Sequence, residues 1–108
     1  MVGFGQIRKL DDHYSELASL YVNPPYRSNG IGTAIVSELL KRHEDHDASM
    51  NSNTVCLLTL HPTVPFYEKH AFRVVEKDMV PQPLKFEFAA GSLLSAILGN
   101  TIVCMIRD

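Results

Sequence analysis

The sequence predicts an α/β protein of the α+β kind: a mixed, mostly antiparallel sheet with flanking helices. Three observations predict it. Apolar spacing switches between the strand period of two and the helical period of 3.6 along the chain. Thr54–Leu60 is a nearly continuous, β-branched apolar run of the kind found in buried strands. Proline and glycine stops fall between these stretches. At 108 residues the chain is expected to form one domain, residues 1–108.

The elements follow in order. Val2–Leu10 carries spaced apolar residues (Val2, Phe4, Ile7, Leu10) and reads as a first strand. Asp11-Asp12-His13 is a polar turn, and Glu16–Val22 a second, antiparallel strand. Pro24 and Pro25 end it, because neither can donate to a ladder. After the loop Tyr26–Gly32, a helix is expected from Thr33, with Ile31, Ile35, Leu39 and Val36, Leu40 on one face. Its last turn carries Lys41, Arg42 and His43, and Glu44–Asn53 reads as a polar loop. Thr54–Leu60 is the third strand, ended by His61 and Pro62. Thr63 is the expected N-cap of a short helix over Phe66–Ala71, with Pro65 in its first turn. Phe72–Val80 reads as a strand, broken by Pro81-Gln82-Pro83. Leu84, Phe86 and Phe88 alternate like a strand, whereas Ala90, Leu94 and Ile97, stopped by Gly99-Asn100, favour a helix for the second half of that segment. Thr101–Ile106 is the last strand. The expected order is β-β-α-β-α-β-(α)-β.

Composition narrows the function. Ten Lys plus Arg against twelve Asp plus Glu give a formal net charge of −2, which argues against nucleic acid as the main partner. No apolar run exceeds five residues, so no membrane span is expected. The start Met1-Val2-Gly3-Phe4-Gly5 lacks the basic flank and apolar stretch of a secretion signal. With two cysteines there is no disulfide framework, and a cytoplasmic location is expected.

The sharpest feature is Arg27-x-x-Gly30-x-Gly32 between a strand and a helix. A helix start offers unpaired backbone N–H groups and partial positive charge, the surroundings a phosphate or diphosphate favours. Gly30 and Gly32 leave room for close approach, and Gly30 can take a positive φ. Arg27, Ser28 and Thr33 supply further donors. A glycine turn that merely begins a helix accounts for the same pattern. No Gly-Lys-Ser/Thr ending follows, which disfavours an NTPase loop, and the dinucleotide-binding glycine pattern is absent.

The run from Glu16 through Ile35, which contains Arg27-x-x-Gly30-x-Gly32, resembles the acetyl-CoA-binding segment of the GNAT superfamily of N-acetyltransferases. That family's hallmark is Arg/Gln-x-x-Gly-x-Gly/Ala. A second block, Pro65–Phe72, is similar to the family's Phe-Tyr-x-x-x-Gly-Phe segment, with Ala71 in place of the glycine and a helix end expected to be shaped differently there. The resemblance extends from about Val2 to Phe72. It starts at what is the family's third strand, so the first strand, two helices and second strand are expected to be missing from the front.

The resemblance implies direct transfer of acetyl from acetyl-CoA, as cosubstrate and without a metal, to an amine. It places the diphosphate on Arg27, Ser28, Asn29, Gly30, Ile31, Gly32 and Thr33, and the pantetheine arm beside Leu20, Tyr21 and Val22. A backbone N–H near Val22 is the implied oxyanion donor. Tyr67 matches the tyrosine that protonates the leaving thiolate; the other reading is a core tyrosine. Glu16 stands where some members carry a base acting through water; the other reading is an exposed strand-end carboxylate. His61 is a further candidate base, against a histidine satisfied by backbone.

Other features are weighed more simply. His43-Glu44-Asp45-His46-Asp47 has metal-ligand types, but reads as a solvated cap. Cys56 and Cys104 are expected to be buried, neighbouring and unbonded. Phe86, Phe88, Leu93, Leu94 and Ile97 suit either a lid over the sheet or a partner-binding face. The uncovered outer edge of Val2–Ile7 predicts a homodimer or strand exchange. The alternatives to an enzyme are a non-catalytic acyl-CoA-binding module and a subunit completed by another chain. The acceptor classes compatible with the charge are polyamines, amino sugars, antibiotics and protein N-termini.

Overall fold

A computed structural model of the chain describes residues 2–27, 30–46 and 54–107. It divides at residue 53 into two compact units. All eight expected elements are present in the expected order.

In the first unit, β1 (Gly3–Lys9) and β2 (Tyr14–Val22) form an antiparallel hairpin with a bulge between Phe4 and Gln6. The turn is built by Asp11, whose Oδ1 accepts the backbone N–H groups of His13 and Tyr14, both at 2.8 Å. The bond from His13 N–H first, then that from Tyr14 N–H and the nearby charges of His13 and Lys9, outweigh desolvation and hold the Asp11 pKa below the ordinary aspartate value. Helix α1 (Ile31–His46) packs on the hairpin. Gly3 and Gly5 permit the approach: a Cβ on either would stand 3.0 Å from the tip of Ile35 or Leu39. Leu17, Val36 and Leu40 are buried. The helix begins two residues before Thr33 and continues through His46, so Glu44 is helical rather than part of a loop. An Arg42–Glu38 pair at 3.0 Å, one turn apart, supports that extension.

In the second unit, β5 (Ile102–Arg107) lies antiparallel to β3 (Thr54–Leu60) on one side and to β4 (Phe72–Val75) on the other. Having a partner on both sides explains its apolar run: Cys104, Met105 and Ile106 are buried with Val55, Cys56, Leu57 and Phe72. Cys56 and Cys104 are buried and not joined by a disulfide, as expected. They sit on neighbouring strands, offset in register, with Cys56 opposite Ile106 and Cys104 opposite Leu58.

Helix α2 (Val64–Glu68) is shorter and earlier than predicted. Thr63 does not cap it; its hydroxyl donates to the Leu60 carbonyl at 2.7 Å and pairs with Thr59. Strand β4 stops at Val75 instead of Val80, because a 3₁₀ turn (Lys77–Met79) follows. Helix α3 (Lys85–Ile97) occupies the whole ambiguous segment. The strand-like alternation of Leu84, Phe86 and Phe88 yields to helical spacing: Leu84 is buried, Phe88 half-buried, and Phe86 exposed. Pro81 and Pro83 remove the donors a strand needs there. The C-terminus of α3 is closed by Gly99 at φ +77°, with Asn100 N–H bonded to the Ser95 carbonyl (2.8 Å) and Gly99 N–H to that of Ala96 (3.2 Å). Among the described residues no helix is long and apolar enough to cross a membrane.

Candidate functional site

The first part of the loop after β2, residues 23–27, is tightly constrained. Asn23 N–H bonds to the Val2 carbonyl at 2.7 Å, which anchors the end of the strand. Pro24–Tyr26 then form a 3₁₀ turn, fixed by Tyr26 N–H to Asn23 O (2.8 Å) and Arg27 N–H to Pro24 O (3.2 Å). The Arg27 side chain folds back. Its Nε donates to the Val22 carbonyl at 2.9 Å, and its guanidinium carbon lies 5.6 Å from the centre of the Tyr21 ring. The sequence suggested Arg27 as an anion ligand; here its Nε braces the loop against β2, and any anion contact falls to the Nη nitrogens. Arg27, Tyr21 and Val22 are thus brought together, with Leu20 half-buried just before them. Ser28 and Asn29 lie outside the described residues.

Gly30 has φ +77°, and among the described residues beyond its chain neighbours nothing lies within 4 Å of where its Cβ would stand. Backbone conformation, not crowding, therefore requires glycine at this position. The first helical bond runs from Ala34 N–H to Gly30 O at 3.0 Å. The N–H groups of Ile31, Gly32 and Thr33 consequently have no acceptor within the helix. No acidic side chain occupies the first turn. Chemically this is a donor-rich, electropositive helix start behind a glycine hinge, suited to a phosphate.

Glu16 is not the exposed strand-end carboxylate that one reading expected. It is 7% exposed and lies one pair in from the turn end of the hairpin ladder, directly opposite Arg8. Arg8 Nη2 and Nε both donate to its Oε1, at 2.7 and 3.0 Å. Arg8 was missed by the sequence reading. A hairpin centred on Asp12 pairs positions that sum to 24, so the turn alone carried the signal.

Tyr67 lies on α2 in the second unit, half-buried, its ring edge-on to Phe66 (5.0 Å) and to Phe72 (5.9 Å). Burial raises the pKa of its hydroxyl above the ordinary tyrosine value, so the group is a proton donor at neutral pH. Ala71, at the place of the family glycine, adopts φ 69°: the alanine accepts the left-handed conformation and does not reshape the helix end. Between them His70 has its Nε2 closed off from solvent with no hydrogen-bond partner among the described residues, while its carbonyl accepts from Arg107 Nε at 3.0 Å. His61 is exposed, its backbone N–H bonded to Thr101 O at 2.8 Å.

Of the residues His43–Asp47, Asp47 lies outside the described part. Among the described residues no group of three or more metal-ligating side chains forms.

The sequence profile of the acetyltransferase (GNAT) family matches residues 1–72. Over 83 residues the chain is 36% identical to YjcF of Bacillus subtilis (strain 168), an uncharacterized N-acetyltransferase, covering 73% of this chain and 54% of that protein. An acetyltransferase of the GNAT family from Staphylococcus aureus Mu50 superposes with a TM-score of 0.65 at 22% identity, over 77% of this chain and 52% of that one. N-acetylglutamate synthase from Neisseria gonorrhoeae, complexed with coenzyme A and N-acetylglutamate, superposes with a TM-score of 0.72 at 15% identity, over 98% and 22%. The chain spans about half the length of the first two.

Proposed function

The chain belongs to the acetyltransferase (GNAT) family, and from that premise we propose that it is an N-acetyltransferase that moves acetyl from acetyl-CoA to a primary amine. One observation carries the proposal: within the matched segment, the amides of Ile31, Gly32 and Thr33 open α1 behind the positive-φ Gly30, with Arg27 earlier in the loop braced against Val22. In this reading those amides hold the diphosphate, and Leu20, Tyr21 and Val22 guide the pantetheine arm. The match runs across residue 53, which supports treating both units as parts of one domain.

The reaction follows from the groups available. The amine nitrogen attacks the thioester carbonyl, the C–S bond breaks, and the thiolate takes a proton from the Tyr67 hydroxyl. A phenol near pKa ~10 protonates a thiolate whose thiol lies near ~8.5 at modest cost. The amine must lose a proton. Glu16 is assigned as its acceptor through water; with Oε1 held by Arg8, acceptance falls to Oε2. The outer edge of β1 pairs with no strand among the described residues, and the exposure of Val2 and Phe4 makes Val2–Ile7 one candidate surface for a homodimer, to be set against any other surface by separate substitutions.

The test is a titration with CoA followed by thiol release across a panel of amines: a polyamine, an amino sugar, an aminoglycoside and a peptide N-terminus. Binding that disappears in Gly30→Val, together with turnover on one acceptor, supports the proposal. Tight binding with no turnover on any amine makes the chain a CoA-binding module instead. No binding removes the assignment.

A further inference from the structure

Helix α3 packs with its apolar face outward. Its inner face, toward β5, is made of Gly91, Ser92 and Ser95 with Phe88, and Ser95 is buried. The approach is close, since a Cβ on Gly91 would stand 2.6 Å from Ile102 Cδ1. The opposite face carries Phe86, Ala90, Leu93 and Ile97 in one line, with Leu94 beside it. Phe86 is 84% exposed, Leu93 70% and Ile97 74%. This corrects the lid reading: only Phe88 of the five large residues turns inward. The helix also lies beyond residue 72, where the family match ends, so the coenzyme site does not account for it.

We propose that this face is the interface between two copies of the chain, paired as antiparallel α3 helices about a two-fold axis. The spacing of the line is its own mirror: steps of four, three and four residues read the same from either end. In an antiparallel pair centred between Ala90 and Leu93, Phe86 meets Ile97 of the second copy and Ala90 meets its Leu93. Small stands against large, and the contact is isologous, as a two-fold dimer requires. Charge points the same way. No charged residue occurs from Phe88 to Asn100, so the face selects neither an acidic nor a basic partner. Its flank holds one lysine, Lys85, offset by Glu87, instead of the lysine- and arginine-rich polar face of helices that lie on lipid. The exposed apolar surface is roughly 500–600 Å² per copy, at the top of what monomers carry. Pairing two copies removes at most roughly 1,100 Å² from water, the low end of protein interfaces, so the pair is expected to be a reversible one.

The experiment is sedimentation equilibrium of the full chain across the micromolar range. The wild type is expected to be a dimer. Leu93→Glu and Ala90→Lys each halve the sedimenting mass, and both side chains face solvent, so the melting curve checks that the fold survives. Mixing the two monomeric variants restores the dimer, because the ammonium introduced in one copy faces the carboxylate introduced in the other while the second Ala90–Leu93 contact stays native. Should the glutamate variant melt early, Leu93→Gln reads the same mass change. A wild type that is monomeric throughout overturns the proposal, as does a dimer that survives both α3 substitutions. A dimer lost with Gln6→Pro in β1 but indifferent to Leu93 assigns the contact to the strand edge. The two surfaces used together would give open chains, not a closed pair. Flotation of a monomeric wild type with phosphatidylcholine vesicles, abolished by Leu93→Glu, makes the face a lipid contact and overturns the dimer. A mixture that stays monomeric overturns the antiparallel register.

Discussion

Arg8 and Glu16 face each other across the β1–β2 ladder, and two guanidinium nitrogens converge on a single carboxylate oxygen at 2.7 and 3.0 Å. The Glu16 side chain is 10% exposed and that of Arg8 50%, so the pair is half-screened. Arg8→Met leaves a buried carboxylate without its partner and is expected to destabilise the fold by about 1–3 kcal/mol. Glu16→Gln keeps an acceptor for Arg8 and costs less than half of that. The two roles of Glu16 separate in kinetics. As a proton acceptor it makes Glu16→Gln lose turnover with the melting temperature nearly kept, whereas Arg8→Met does the reverse. Equal turnover in wild type and Glu16→Gln assigns the carboxylate to structure alone.

Ala71 sits at φ 69°, a conformation that costs an L-residue about 1–2 kcal/mol. Ala71→Gly relieves that strain but frees the unfolded chain by about 0.4–1 kcal/mol. The net expectation is a gain of about 0.5–1 kcal/mol, read as a rise of about 2–6 °C in Tm. Ala71→Val should lower Tm, since a β-branched side chain tolerates positive φ less well. Equal melting of all three proteins would show that the turn relaxes without strain.

These cases show which features a sequence makes legible. Gly30 was readable because its residue type announces the backbone it needs, and φ +77° agrees. Thr54–Leu60 was readable to the residue because a continuous apolar run has one burial solution. Ala71 was misread for the complementary reason: alanine says nothing about positive φ, and the hydrogen bonds from His70 N–H to Tyr67 O and from Ala71 N–H to Glu68 O decide it locally. The start of α3 was ambiguous because Leu84 and Phe88 fit both periods, and only Pro81 and Pro83 weighed against a strand. The Arg8–Glu16 pair needed the register, which the Asp11 turn sets by side-chain bonds that the residue order only suggests.

His70 gives a stability that depends on pH. Burial first, then the charges of Arg107 and Lys69, hold its pKa below the ordinary histidine value. Its Nε2 has no partner among the described residues, so a proton there gains nothing on folding. The unfolded chain takes up the proton near pH ~6.5, the folded chain only at lower pH. The contribution is therefore complete above ~6.5 and is lost as pH falls from there toward the folded pKa. Denaturant midpoints should decline across this window in the wild type, and less steeply in His70→Gln. The Asp11 contribution is lost separately, below the ordinary aspartate pKa. Parallel pH profiles for the two proteins would remove His70 as the source.

Tyr67→Phe isolates the proton donor. The ring keeps its edge contacts with Phe66 and Phe72, so the melting temperature and CoA affinity should hold. Turnover should fall by about 10- to 100-fold, the low end of general-acid effects, because a thiolate of pKa ~8.5 already leaves without full protonation. The pH dependence sharpens the assignment. Because burial raises the hydroxyl pKa, the wild-type advantage should persist through neutral and mildly alkaline pH and shrink only above the ordinary tyrosine range. Above that range the tyrosinate has no proton to give, so the wild-type and variant profiles should converge at the alkaline end. Profiles that stay parallel at every pH would mean that Tyr67 packs the core of the second unit and takes no part in thiolate release.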